Sequence, residues 1–76
     1  MIKYELLAQC KYDNAYGEYV TYGIIASENG DIIRVIEDIS TEIGRITALI
    51  QQFNREQLCA EHLDEAVECF LYDFKV

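Results

Sequence analysis

The dipeptide Asn29-Gly30, set between two runs of alternating apolar residues, constrains this chain more than any other feature of its sequence. Both residues tolerate the positive φ of a type I′ turn, whose twist suits a pair of antiparallel strands. A two-residue loop also fixes register. It sets Glu28 opposite Asp31, and from there Ala26 opposite Ile33, Ile24 opposite Val35 and Val20 opposite Ile39. Those apolar pairs share one face, so the side-chain pattern and the turn agree. The two strands run from about Glu18 to Ser27 and from about Asp31 to Asp38. On the other face the same register puts Thr21 with Asp38, Ile25 with Arg34, Ile36 opposite Gly23, and Ile32 near the tip. Glu37 falls on the apolar face, opposite Tyr22.

Upstream, Ile2, Tyr4, Leu6, Ala8 and Cys10 alternate with Lys3, Glu5, Gln9 and Lys11, the period of a strand with one wet face. Asp13-Asn14-Ala15-Tyr16-Gly17 then reads as a turn. Leu7 and Tyr19 share the outward parity. Downstream, Ile39-Ser40-Thr41-Glu42 ends the third strand, with Ser40 in place to cap a helix and Glu42 to favour its dipole. Ile43, Ile46, Leu49, Ile50 and Phe53 form one helical stripe. Gly44 within it implies a close backbone contact, and Asn54 suits the C-terminal cap. A second helix starts near Ala60 and runs towards Phe74, with Leu63, Ala66, Val67, Phe70, Leu71 and Phe74 on its stripe. Leu58 and Leu63 are spaced for a hydrophobic staple around Cys59, which is a poor cap.

These elements predict an α+β fold over residues 1–76: a three-stranded antiparallel meander followed by two helices packed on one face (βββαα). Seventy-six residues suit a single domain that buries only about 60 % of its unfolded surface, so self-association or a partner is a natural expectation. A hydrophobic content of 51 % excludes a disordered chain despite the net charge of -8.

The charge excludes several function classes. Fourteen acids face six bases, with no basic cluster to meet phosphates, so neither direct nucleic-acid binding nor an anionic membrane surface is expected. No apolar run approaches the roughly 20 residues of a membrane span. Met1-Ile2-Lys3-Tyr4-Glu5 opens no apolar stretch of a secretory signal. Cys10, Cys59 and Cys69 are odd in number and irregular in spacing, which suits free thiols and a cytoplasmic location.

The segments Tyr22-Gly23-Ile24, Asp38-Ile39-Ser40-Thr41, 54–58, His62-Leu63, Val67-Glu68 and Phe70-Leu71 resemble, in order and spacing, a family of small bacterial proteins of clostridial type. That family is described only as a domain of unknown function. The resemblance spans roughly residues 18 to 71. It implies the same fold and a bacterial origin, and it carries no activity. It also implies a Ser where this chain has Cys59, which argues against a special role for that thiol.

Four candidate sites remain. His62, with Glu65, Cys69 and Cys59, can be drawn as a zinc site, but one C-x-x-H without a second close pair falls short of a finger. The simpler reading has His62 assisting the helix cap and Cys69 as a small hydrophobe, so no metal or other cofactor is expected. Glu61, Asp64, Glu65 and Glu68 line the polar side of the second helix beside Tyr72. They could imitate a nucleic-acid backbone and inhibit a DNA- or RNA-binding protein; a solvated helix face, its acids favoured by the dipole, is the simpler reading. Catalysis is not expected, since no nucleophile motif accompanies the single histidine and no glycine-rich loop opens a helix. The preferred surface is the outer sheet face, where Tyr19, Ile25, Ile32 and Ile36, rimmed by Arg34 and Asp38, make an apolar patch for a protein partner or a second copy. On that reading Ile36→Glu leaves the domain folded and abolishes association.

Overall fold

A computed structural model describes residues 2–75 of the chain, with side chains through residue 72. Strands β1 (Ile2–Asp13), β2 (Gly17–Glu28) and β3 (Asp31–Ser40) form one antiparallel sheet in the order β1-β2-β3. Helix α1 (Ile43–Glu56), a single 3-10 turn (Ala60–His62) and helix α2 (Leu63–Lys75) follow, giving the expected α+β order.

Each turn is specified by a residue that accepts positive φ. Asn29 and Gly30 lie at φ 54° and 88°, as a type I′ hairpin requires. Between β1 and β2, Gly17 takes φ 80° opposite Asp13. The Asp13 carboxylate accepts hydrogen bonds from the Ala15 and Tyr16 amides at 2.7 and 3.2 Å, pre-forming that turn. The β1–β2 pairing is then unbroken for twelve residues, from Ile2↔Glu28 to Asp13↔Gly17.

The β2–β3 pairing is broken twice, and this corrects the register expected from the sequence. Glu28↔Asp31 holds, and Ser27 pairs with Ile32. Ile33 is then an extra residue, so that Ala26 pairs with Arg34, Ile25 with Val35 and Ile24 with Ile36. A one-residue slip exchanges the faces of a strand. Arg34 and Ile36 therefore point towards the helices, while Val35 takes the outer side. A second irregularity separates Ile24↔Ile36 from Tyr22↔Ser40, with Asp38 at φ 54°. Gly23 permits it: a Cβ there would run into the Ile36 carbonyl oxygen and lie 3.1 Å from the Glu37 Cα. Glu37, expected beneath the helices, is turned by this bulge to meet the Gln9 amide on the outer side. Thr21 is fully buried and keeps the expected company of Asp38, its hydroxyl donating to Asp38 Oδ1 at 2.7 Å.

The core forms where the helices cover the sheet. Tyr4, Ile24 and Ala26 meet Ile46, Ile50 and Phe53 of α1 and Leu63 and Val67 of α2, with Ile39 at the end of β3. Tyr4 and Phe53 stack edge to face at 5.5 Å. Ile36 and Leu58 pack against this cluster. The Phe74 side chain lies outside the described side chains.

Several capping expectations change. Ser40 stays in the strand and accepts from the Glu42 amide at 3.0 Å; Glu42 is the N-cap of α1. Helix α1 ends at Gln57, in the left-handed conformation at φ 54°. Asn54 is thereby freed for another role, described below. Gly44 faces open space, so no close contact requires it.

Candidate protein-interaction surface

Tyr19, Ile25, Ile32, Arg34 and Ile36, expected on one outer patch, do not come together. Ile32 remains outward and 64 % exposed, with Ile25 half-buried beside it and Val35 added to the patch. Ile25 and Ile32 border an open depression of about 550 Å³ near the hairpin tip, with Lys3 and Glu5 also lining it. Tyr19 is half-buried opposite Lys11 on the same face, but the Glu37–Asp38 bulge lies between it and Ile25. Arg34 and Ile36 are on the helix side, where Arg34 pairs with Asp64 of α2 and Ile36 packs on the core. Ion pairs this exposed stabilise by about 0–1 kcal/mol, so Arg34 positions α2 weakly.

A larger unpartnered surface lies along β1. The helices cover only the end of the β1–β2 ribbon that carries Tyr4 and Ala26. Further along the same face, Leu6 is 38 % exposed, Val20 48 % and Tyr12 70 %, and Ala8 and Cys10 are also exposed. Cross-strand pairing sets Cys10 beside Val20 and Ala8 beside Tyr22, so these side chains form one apolar strip.

The backbone of the same strand is open. The Tyr4 amide donates to Asn54 Oδ1 at 2.8 Å, and Asn54 Nδ2 donates to the Tyr4 carbonyl at 2.9 Å. One side chain of α1 thus imitates a neighbouring strand for a single residue. Because Tyr4 directs both backbone groups away from β2, strand alternation directs those of Leu6, Ala8, Cys10 and Tyr12 to the same edge. Among the described residues none of these four finds a partner there. The other edge, β3, is kinked by its two bulges, a common protection against strand addition. The β1 edge has no bulge, its pairing with β2 being unbroken from Ile2 to Asp13.

The tyrosine under the cap is chemically distinct. Its hydroxyl donates to the Leu58 carbonyl at 2.5 Å. Burial, and secondarily the charge of Cys59, raise the Tyr4 phenol above its ordinary 10.0.

The remaining candidates stay dispersed. Cys59, Cys69 and His62 are all exposed, and among the described residues no group of three His, Cys, Asp or Glu is placed to hold a metal ion. The His62 imidazole lies 4.0 Å from the Glu65 carboxylate. Glu61, Asp64, Glu65 and Glu68 are exposed on α2, as is Tyr72. No helix among the described residues is long and apolar enough to cross a membrane.

A three-stranded meander makes β1 an edge strand; what alternation does not reveal is that the helices leave Leu6, Ala8, Cys10 and Tyr12 uncovered. Comparison with protein-family models, curated proteins and solved structures gives no match to this chain.

Proposed function

We propose that this chain is a non-catalytic protein-interaction module that binds by adding a strand to its β1 edge. The observation that carries this reading is the run Leu6, Ala8, Cys10 and Tyr12, with unpartnered backbone groups along one edge and uncovered apolar side chains on one face. An added strand would satisfy the first and set its own side chains beside the second, the usual physics of recognition at a sheet edge. The net charge of -8 supports a protein partner over a nucleic acid. Three cysteines without a disulfide support a reducing, cytoplasmic setting.

Ala8→Lys tests the assignment, because Ala8 is exposed and a lysine on an edge opposes strand addition. Co-purification from bacterial lysate should show proteins that follow the wild-type chain and not the variant. Identical captured sets from a chain that also stays monomeric would overturn the edge as the binding site.

A second reading rests on the exposed acids of α2, through which the chain would occupy a basic, nucleic-acid-binding protein. It requires binding that fails at high salt and on neutralising Glu65 and Glu68. Retention under both conditions rules it out.

A further inference from the structure

We infer that the strand added to β1 is the β1 of a second copy, paired antiparallel about a two-fold axis at Gln9; this rests on the strand-addition reading above. The free edge is bounded on one side by the Asn54 cap on Tyr4 and on the other by the turn that begins after Asp13. Between these limits lie Leu6, Ala8, Cys10 and Tyr12, which are symmetric about Gln9. Centring the axis there pairs Leu6 with Tyr12 of the second copy and Ala8 with its Cys10. All four open positions of both copies are then used, in about eight backbone hydrogen bonds. Moving the axis towards Leu7 drives the second strand into the Asn54 cap. Moving it towards Lys11 leaves open positions unpaired.

Side chains and charge agree with this arrangement. A two-fold axis perpendicular to the sheet keeps the apolar strips of both copies on one side, where they meet edge to edge and continue into Val20 of each copy. In a chain of net charge -8, strand β1 carries Lys3 and Lys11 against Glu5 and Asp13 and is neutral. Two copies therefore meet where their mutual repulsion is least. One like-charge pair, Glu5 with Asp13 of the second copy, falls at each end. It is moderated because Glu5 already pairs with Lys3 at 3.4 Å and Asp13 is turned into its own loop.

Light scattering across a concentration series up to about 1 mM tests self-association. The wild-type chain should approach twice its 8.8 kDa mass as concentration rises. Ala8→Lys should weaken association at least about tenfold without lowering the melting temperature in dilute solution, where both chains are monomeric. Register is read by disulfide capture in a chain whose Cys10, Cys59 and Cys69 are replaced by Ser. Gln9→Cys should cross-link two copies under oxidised glutathione, because residues directly opposite at a non-hydrogen-bonded position lie about 4.5 Å apart, within disulfide range. Leu7→Cys should not, since its two copies sit four residues out of step. Equal cross-linking of both variants, or of neither, overturns the register. A wild-type chain that stays monomeric throughout overturns self-pairing alone, because the Ala8→Lys capture experiment reads strand addition by a different partner independently.

Discussion

Replacing Asn54 with Ala tests the join between helix and sheet, because this one side chain bonds both backbone groups of Tyr4 across fifty residues of sequence. The variant loses two neutral hydrogen bonds, each contributing about 1 kcal/mol net. The site is partly buried, and water reaching the open edge would replace them only in part. The expected loss is about 2 kcal/mol, a fall of roughly thirtyfold in the folded-to-unfolded ratio. For a chain of this size that lowers the melting temperature by about 8–16 °C. Urea titration measures it, with an unchanged slope showing that the same surface is still exposed on unfolding. Asn54→Asp refines the test, since a carboxylate accepts from the Tyr4 amide but cannot donate to the Tyr4 carbonyl. It should lose at least half as much stability as Asn54→Ala. A loss below about 0.5 kcal/mol for Asn54→Ala, or an Asp variant as stable as wild type, would refute the bidentate cap.

Four further outcomes follow from the bulges, the core and the buried tyrosine. Ile36→Glu should destabilise the fold by more than about 2 kcal/mol, because it places a carboxylate against the core cluster. Ile32→Glu, on an exposed side chain, should stay within about 0.5 kcal/mol of wild type in the same urea titration. Gly23→Ala should cost about 1–3 kcal/mol, since its Cβ meets backbone rather than a flexible side chain; a neutral result would show that β3 does not press on this position. Stability should decline in alkali as pH rises through 10.0 towards the higher folded-state value of Tyr4, because the unfolded chain loses that proton first. Tyr4→Phe should remove this component of a pH-dependent melting curve, and an unaltered alkaline slope would assign it to other groups.

Where the sequence reading succeeded, the information was local. Asn29 and Gly30 encode their turn in their own backbone preferences, and Ile46, Ile50 and Phe53 place α1 by spacing alone. It failed where one strand had to accommodate another. Register carried outward from Asn29-Gly30 assumes a regular β3, and the extra residue at Ile33 is enough to move Arg34 and Ile36 to the opposite face. A signal was present. A regular strand would have placed Glu37 on the core face, and Ile36 and Ile39 can both turn inward only if the strand is irregular between them. Asn54 was read as a helix cap because that is the local use of an asparagine; its bonds to Tyr4 depend on tertiary contact. The uncovered stretch of β1 depends on where the helices sit along the sheet, which no window of sequence contains.

The most direct test of the β1 edge as an interface is residue-resolved amide hydrogen exchange on a dilution series. In dilute solution Leu6, Ala8, Cys10 and Tyr12 should exchange rapidly, while Leu7, Gln9 and Lys11, whose amides face β2, stay protected. At high concentration the four open amides should become protected together, filling in the alternation. Protection of those four at every dilution would contradict an open edge, and an alternation that persists at every concentration would contradict its pairing with a second copy.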